Sequence, residues 1–244
     1  MYEILIGAAS VVAGAIASIV GFGIGSILTP LLSLQVGTRL AVAAISIPHL
    51  ATTLVRFWML RKSVDRRVLV NFGILSAAGG LAGALLHSMA SNPALTLVFA
   101  ALLIFAGVSS VTSYSRRMRF GPKAAWIAGG ISGVLGGLVG NQGGIRSAAL
   151  LGFGLDRHAF VATATAIGLV VDAARMPVYF VTAGSEVLGM PSVIISSTVG
   201  VLAGTFLGTK LLRRIPEEVF DRIVGGVILA LGLFMMGRGI QGDS

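Results

Sequence analysis

The chain alternates long apolar runs with short polar loops. Six runs have the length of ordinary membrane spans, at least about 20 residues: 39–60, 68–89, 93–112, 158–181, 190–212 and 219–237. Two further apolar stretches, 3–36 and 124–155, are too long for one straight span. At about 1.5 Å per residue the first would reach roughly 50 Å, against a hydrocarbon core of about 30 Å. Each long stretch carries a glycine cluster, VGFGIGS at 20–26 and VGNQGGIRS at 139–147. Irregular backbone at membrane depth is tolerated only where it is buried in protein or lines a cavity. Each stretch therefore reads as a helical hairpin broken at its glycines.

Loop charges give the orientation, because Lys and Arg collect on the cytoplasmic side. Arg61, Lys62, Arg66 and Arg67 place their loop inside, and the uncharged 88–92 loop lies outside. Arg116, Arg117, Arg119 and Lys123 place the central linker inside. Simple up-and-down counting then fails. It would put the 184–189 loop, with Glu186 and no Lys or Arg, inside, and Lys210, Arg213 and Arg214 outside. The conflict disappears if 124–155 enters and leaves on the cytoplasmic side, with 3–36 as the matching hairpin from outside. Each half then crosses the membrane an odd number of times, which inverts one half relative to the other.

The expected fold is thus all-α and integral to the membrane. It has two inverted repeats, each a glycine-broken hairpin plus three transmembrane helices. Repeat 1 spans 1–115 (hairpin 3–36, helices 39–60, 68–89 and 93–112). Repeat 2 spans 116–244 (hairpin 124–155, helices 158–181, 190–212 and 219–237). Aligning 13–56 with 132–175 gives ten identities in 44 positions, an internal symmetry. Gly21 pairs with Gly140, Gly25 with Gly144 and Arg56 with Arg175, each at 140 − 21 = 119.

Composition agrees with lipid as the solvent: 55% of the 244 residues are hydrophobic and 11% charged, where a soluble domain has about 25% charged. The mean hydropathy is +0.95. The net charge of +9 sits in short loops, which suits positive-inside anchoring and leaves nucleic acid a poor partner. Without cysteine, disulfides, thiolate metal sites and cysteine nucleophiles are excluded. His49, His87 and His158 lack metal-ligand spacing, so neither a metal nor another cofactor is expected. The first apolar run lacks a basic region before it and continues past a cleavage zone, so it reads as part of the mature protein.

Candidate chemistry gathers at the two breaks. The half-helices that follow them would aim their N-termini, rich in free N–H groups, at the middle of the protein, and such ends favour anions. The candidate substrate-binding residues are Gly21, Phe22, Gly23, Gly25 and Ser26 in the first break, and Gly140, Asn141, Gln142, Gly143, Gly144 and Arg146 in the second. Asn141 and Gln142 can bond a ligand or the broken backbone. Ser26 and Ser147 can also cap helices. Arg146 can bind an anion or snorkel to the inner surface. Arg56, Arg175, Asp172 and His49 are candidates for gating or coupling. For Arg56 and Arg175 the competing reading is again snorkelling. Asp172, three residues before Arg175, either neutralises it or carries a coupled proton. His49 could carry a proton or be a hydrogen-bonded structural histidine. Gly79, Gly80, Gly83, Gly200 and Gly204 read as close helix packing. Pro30, Pro48 and Pro177 are each expected to interrupt a helix, and Trp58 and Trp126 to anchor at the inner interface.

With its tandem repeat, Gly21-Phe-Gly-Ile-Gly25 followed by Pro30-Leu-Leu, and Gly140-Asn-Gln-Gly-Gly144, the chain resembles the sulfite exporter TauE/SafE family of bacterial membrane proteins. The resemblance covers nearly the whole length. The second copy carries Ala149 where the family's proline would fall, and Ile24 replaces a usual glycine. The resemblance implies export of a small sulfur-containing anion, sulfite or an organosulfonate, across the cytoplasmic (inner) membrane. Alternating access without catalytic residues is expected, and a passive anion channel on the same scaffold is the alternative. Expected partners are the small anion and the bilayer, with a coupling proton or ion and a homodimer left open. An intramembrane enzyme is disfavoured, since no serine–histidine motif or metal centre is present.

Overall fold

The computed structural model describes residues 2–20, 23–112, 122–141, 143–211 and 217–241. It is helical throughout, without a strand among the described residues. The helices are α1 (Tyr2–Val20), α2 (Ile24–Leu60), α3 (Arg66–Met89), α4 (Asn92–Thr112), α5 (Pro122–Val139), α6 (Gly143–Leu151), α7 (Arg157–Leu188), α8 (Pro191–Leu211) and α9 (Glu217–Gln241). Six are long and apolar enough to cross a membrane, so the chain is a multi-pass membrane protein. The linker at 113–121, where the two halves of the sequence were expected to divide, lies outside the described residues.

Helix α2 is bent into two arms, 24–36 and 38–60, at Gly37, whose φ of 75° and ψ of 160° are non-helical. Only glycine adopts that conformation without strain. Asn92 packs on the corner, and its Oδ1 accepts from Arg39 N–H at 2.8 Å. The expectation that Pro30, Pro48 and Pro177 interrupt their helices is corrected here. All three lie inside helices that continue past them. A proline removes only the one N–H that would reach the carbonyl four residues back, so each helix loses a single intrahelical bond there and runs on. At the starts of α3 and α7, aspartates cap helices. Asp65 accepts from Arg67 and Val68 N–H, and Asp156 from His158 and Ala159 N–H.

The sequence halves are not the packing units. Helix α1 packs along α8, α5 along α3, and α4 along α9. Small residues let backbones touch, and the same contacts recur in two of these cross-half seams, α3–α5 and α1–α8. A side chain at Gly79 would strike Gly130 O, and one at Gly204 would strike Val11 O. Gly83 meets Val134 as Gly208 meets Ala15, and Gly133 meets Ser76 as Gly14 meets Val201. The offsets are constant: 130 − 11, 134 − 15 and 133 − 14 are each 119, while 204 − 79, 208 − 83 and 201 − 76 are each 125. One apolar core joins α3, α5, α6 and α7 around Phe72, Leu150 and Ile167. A second draws mainly on α1, α2, α4 and α9 around Leu28, Phe99 and Ile228.

Candidate functional site

The second arm of α2 and α7 run antiparallel through the centre. Ser46 Oγ donates to Met176 Sδ at 3.0 Å, His49 Nδ1 lies 2.7 Å from Asp172 Oδ2, and Thr53 lies beside Gly168. The two glycine breaks meet next to this pair. A Cβ on Gly25, in the first turn of α2, would come within 2.7 Å of Gly140 O. Gly23 and Gly140 have φ of 130° and 72°, conformations that favour glycine. Gly140 in turn faces Val42 and Arg175 Nη1.

At the break the last carbonyls of α5 run short of intrahelical donors, Gly140 N–H still reaching Gly136 O at 3.0 Å, and in lipid they need further partners. Three side chains supply them on consecutive residues. Arg175 Nη1 donates to Gly136 O at 2.7 Å, Tyr179 Oη donates to Gly137 O, and His87 Nδ1 meets Leu138 O at 2.7 Å. A carbonyl only accepts, so His87 carries its proton on Nδ1. The rings of His87 and Tyr179 lie 4.9 Å apart. Neither residue was a site candidate from the sequence. The rule that a helix ending in lipid must find donors is the signal that points to them.

Arg56, Arg146 and Arg175 are all buried, at 6%, 3% and 2% exposure, so none of them snorkels. Arg175 is fully engaged: Nε lies 3.0 Å and Nη2 2.8 Å from Asp172 Oδ1. Asp172 is completely buried, and its other oxygen faces His49. Arg56 and Arg146 are different. Among the described residues Arg56 Nη2 and Arg146 Nε and Nη1 have no hydrogen-bond partner, and neither does Asn141 Nδ2. The charge of Arg146 acts on both Arg56 and Asp172. All four orphaned nitrogens are donors, and unpaired buried donors are costly. An oxyanion is the ligand that satisfies donors and charge together.

Of the sequence candidates, Gly25, Gly140, Arg146, Arg56, Arg175, Asp172 and His49 are linked by these contacts and fields. Gly23 caps α2, Gly143 opens α6, and Ser26 is buried in the first turn of α2. Asn141 stands in the second break. Gly144 lies in α6. Gly21, Phe22 and Gln142 lie outside the described residues.

The family model described as Sulfite exporter TauE/SafE matches residues 6–235 of this chain. No curated protein and no solved structure matches it significantly.

Proposed function

The chain belongs to the sulfite exporter TauE/SafE family, a family of transporters and not of enzymes, and on that premise we propose that it exports a small sulfur oxyanion across the cytoplasmic membrane. The anion binds between the two glycine breaks. Arg146, Arg56 and Asn141 are its ligands, helped by the N–H groups that open α2 and α6. The observation that carries this reading is the set of orphaned, buried donors on those three residues.

Transport proceeds by alternating access. The repeated seams α1–α8 and α3–α5 support an inverted-repeat architecture. Because the helices exchange between halves, the moving bodies are cross-half groups, one containing α3, α5, α6, α7 and the second arm of α2 and the other α1, α8 and the first arm of α2. They part where Gly25 meets the Gly140 carbonyl. Each negative charge leaving a cytoplasm held at negative potential gains about 2.3 kcal/mol per 100 mV, so export needs no coupled ion. His49, on Asp172, is then a fixed partner of the acid.

The test uses purified protein in liposomes loaded with sulfite, a sulfonate or another small oxyanion. Efflux that Arg146→Ala abolishes supports the reading, and protein that moves none of these anions sinks it. Unitary conductance steps without saturable flux would make the protein a channel instead.

A further inference from the structure

Resting on the anion site just proposed, we infer that the site selects a doubly charged oxyanion over a singly charged one of the same shape. Among the described residues, the buried side chains with a permanent charge are Arg56, Arg146, Arg175 and Asp172. Those four sum to 3 − 1 = +2.

That balance is unevenly distributed. Asp172 Oδ1 holds Arg175 Nε and Nη2, its Oδ2 holds His49, and the third nitrogen of Arg175 is on Gly136 O. The Asp172–Arg175 pair closes on itself, with every guanidinium nitrogen and both carboxylate oxygens engaged. The residual +2 therefore resides on Arg56 and Arg146, the two arginines with unpartnered nitrogens; Arg146 Nη1 and Thr53, three residues before Arg56 on the same helix, both border Gly168. Two uncompensated cations in a poorly solvated interior repel each other and lack hydration. A dianion cancels both, whereas a monoanion leaves one positive charge buried without a counterion. The donors come from three elements, α2, α6 and the break at Asn141. A compact group with several oxygens can accept from all of them at once.

Calorimetry on the purified protein decides this with two pairs of probes matched in shape. Sulfite and methanesulfinate are both pyramidal, and sulfate and methanesulfonate are both tetrahedral. In each pair only the first member carries two charges, at a pH above the second ionisation of sulfite. The expected result is at least about a tenfold preference for the dianion in whichever shape binds. Arg56→Gln, which lowers the balance by one charge and keeps a donor, should cut dianion affinity by a larger factor than monoanion affinity. Equal affinity within a shape pair, or equal weakening of both members in Arg56→Gln, overturns the charge assignment but leaves the anion site standing. Binding of none of the four overturns both. Transport current on the wild type gives the same answer without a variant: two elementary charges per anion support the inference and one charge overturns it.

Discussion

Arg56 and Arg175 occupy matching places in the two halves (175 − 56 = 119), yet among the described residues only Arg175 of the two has an acid paired with it. Thr53 stands where Asp172 stands in the other half (172 − 53 = 119). It lies against His49, with its Oγ1 3.4 Å from Nδ1. The difference leaves one arginine free for a ligand and ties down the other. Thr53→Asp would give Arg56 the counterion that Arg175 has. The expected outcome is at least about a tenfold loss of sulfite affinity in a protein whose melting temperature does not fall. Calorimetry and thermal unfolding in detergent check the two halves of that statement.

Asp172→Asn should have the opposite character. It strips Arg175 of its counterion inside the protein, and breaking a buried pair in this way costs about 3–5 kcal/mol. His49→Gln removes one hydrogen bond to the same carboxylate and should cost no more than about 1–3 kcal/mol. Denaturant unfolding of both variants tests the order. A His49 variant that is the less stable of the two would contradict it.

The cross-half seams predict matched pairs of mutants. Gly79→Ala and Gly204→Ala each drive a methyl into a facing carbonyl, of Gly130 and Val11 respectively. Each should lose about 1–3 kcal/mol. Gly226 has open space around it, so Gly226→Ala should gain up to about 1 kcal/mol from helix propensity. Thermal stability of the three proteins, purified side by side, is the measurement.

Gly168 positions Arg146. A methyl there would lie 3.0 Å from Arg146 Nη1, the far end of a flexible side chain that can shift. Gly168→Ala should therefore weaken anion binding several-fold while changing stability by less than about 1 kcal/mol. Loss of stability without any change in affinity would mean that the arginine moves aside freely.

The absence of native cysteine makes the orientation testable by labelling. Ser63, in the turn Arg61–Ser63, and Ser185, near the end of α7, are both exposed. Asp65 N–H donates to Thr163 Oγ1 at 2.9 Å, so that turn sits at the start of α7, the opposite end from Ser185. A cysteine at Ser63 should react only from the cytoplasm, and one at Ser185 only from outside. Reaction of both from one side would refute the cytoplasmic hairpin.

Span positions were readable from the sequence because hydropathy reports lipid thickness directly. The run 93–112 became Asn92–Thr112, and 190–212 became Pro191–Leu211. The run 158–181 stopped short of Leu188, where α7 ends. The last turns, with Ser185 and Glu186, continue past the apolar zone, and hydropathy measures the zone and not the helix. Helix breaks at prolines were over-read, and the corner at Gly37 was placed only within the gap between two runs. Within the candidate site, the i, i+3 pairing of Asp172 with Arg175 followed from helical spacing. The approach of His49 to Asp172 did not, because the register between α2 and α7 is a tertiary property. Burial of the three arginines was likewise invisible, since snorkelling and burial use the same sequence.

The two glycine seams match in space but not in time of synthesis. Helix α5 emerges soon after α3, so its partner already stands in the membrane. Helix α1 is made before its partner α8, with α2 to α7 between them, so the surface around Gly14 must wait in lipid while those helices are made. Biogenesis therefore has a late, slow docking event on one side of the protein that its structural twin lacks. A ribosome that stalls before Gly204 leaves a product with one seam closed and the other open.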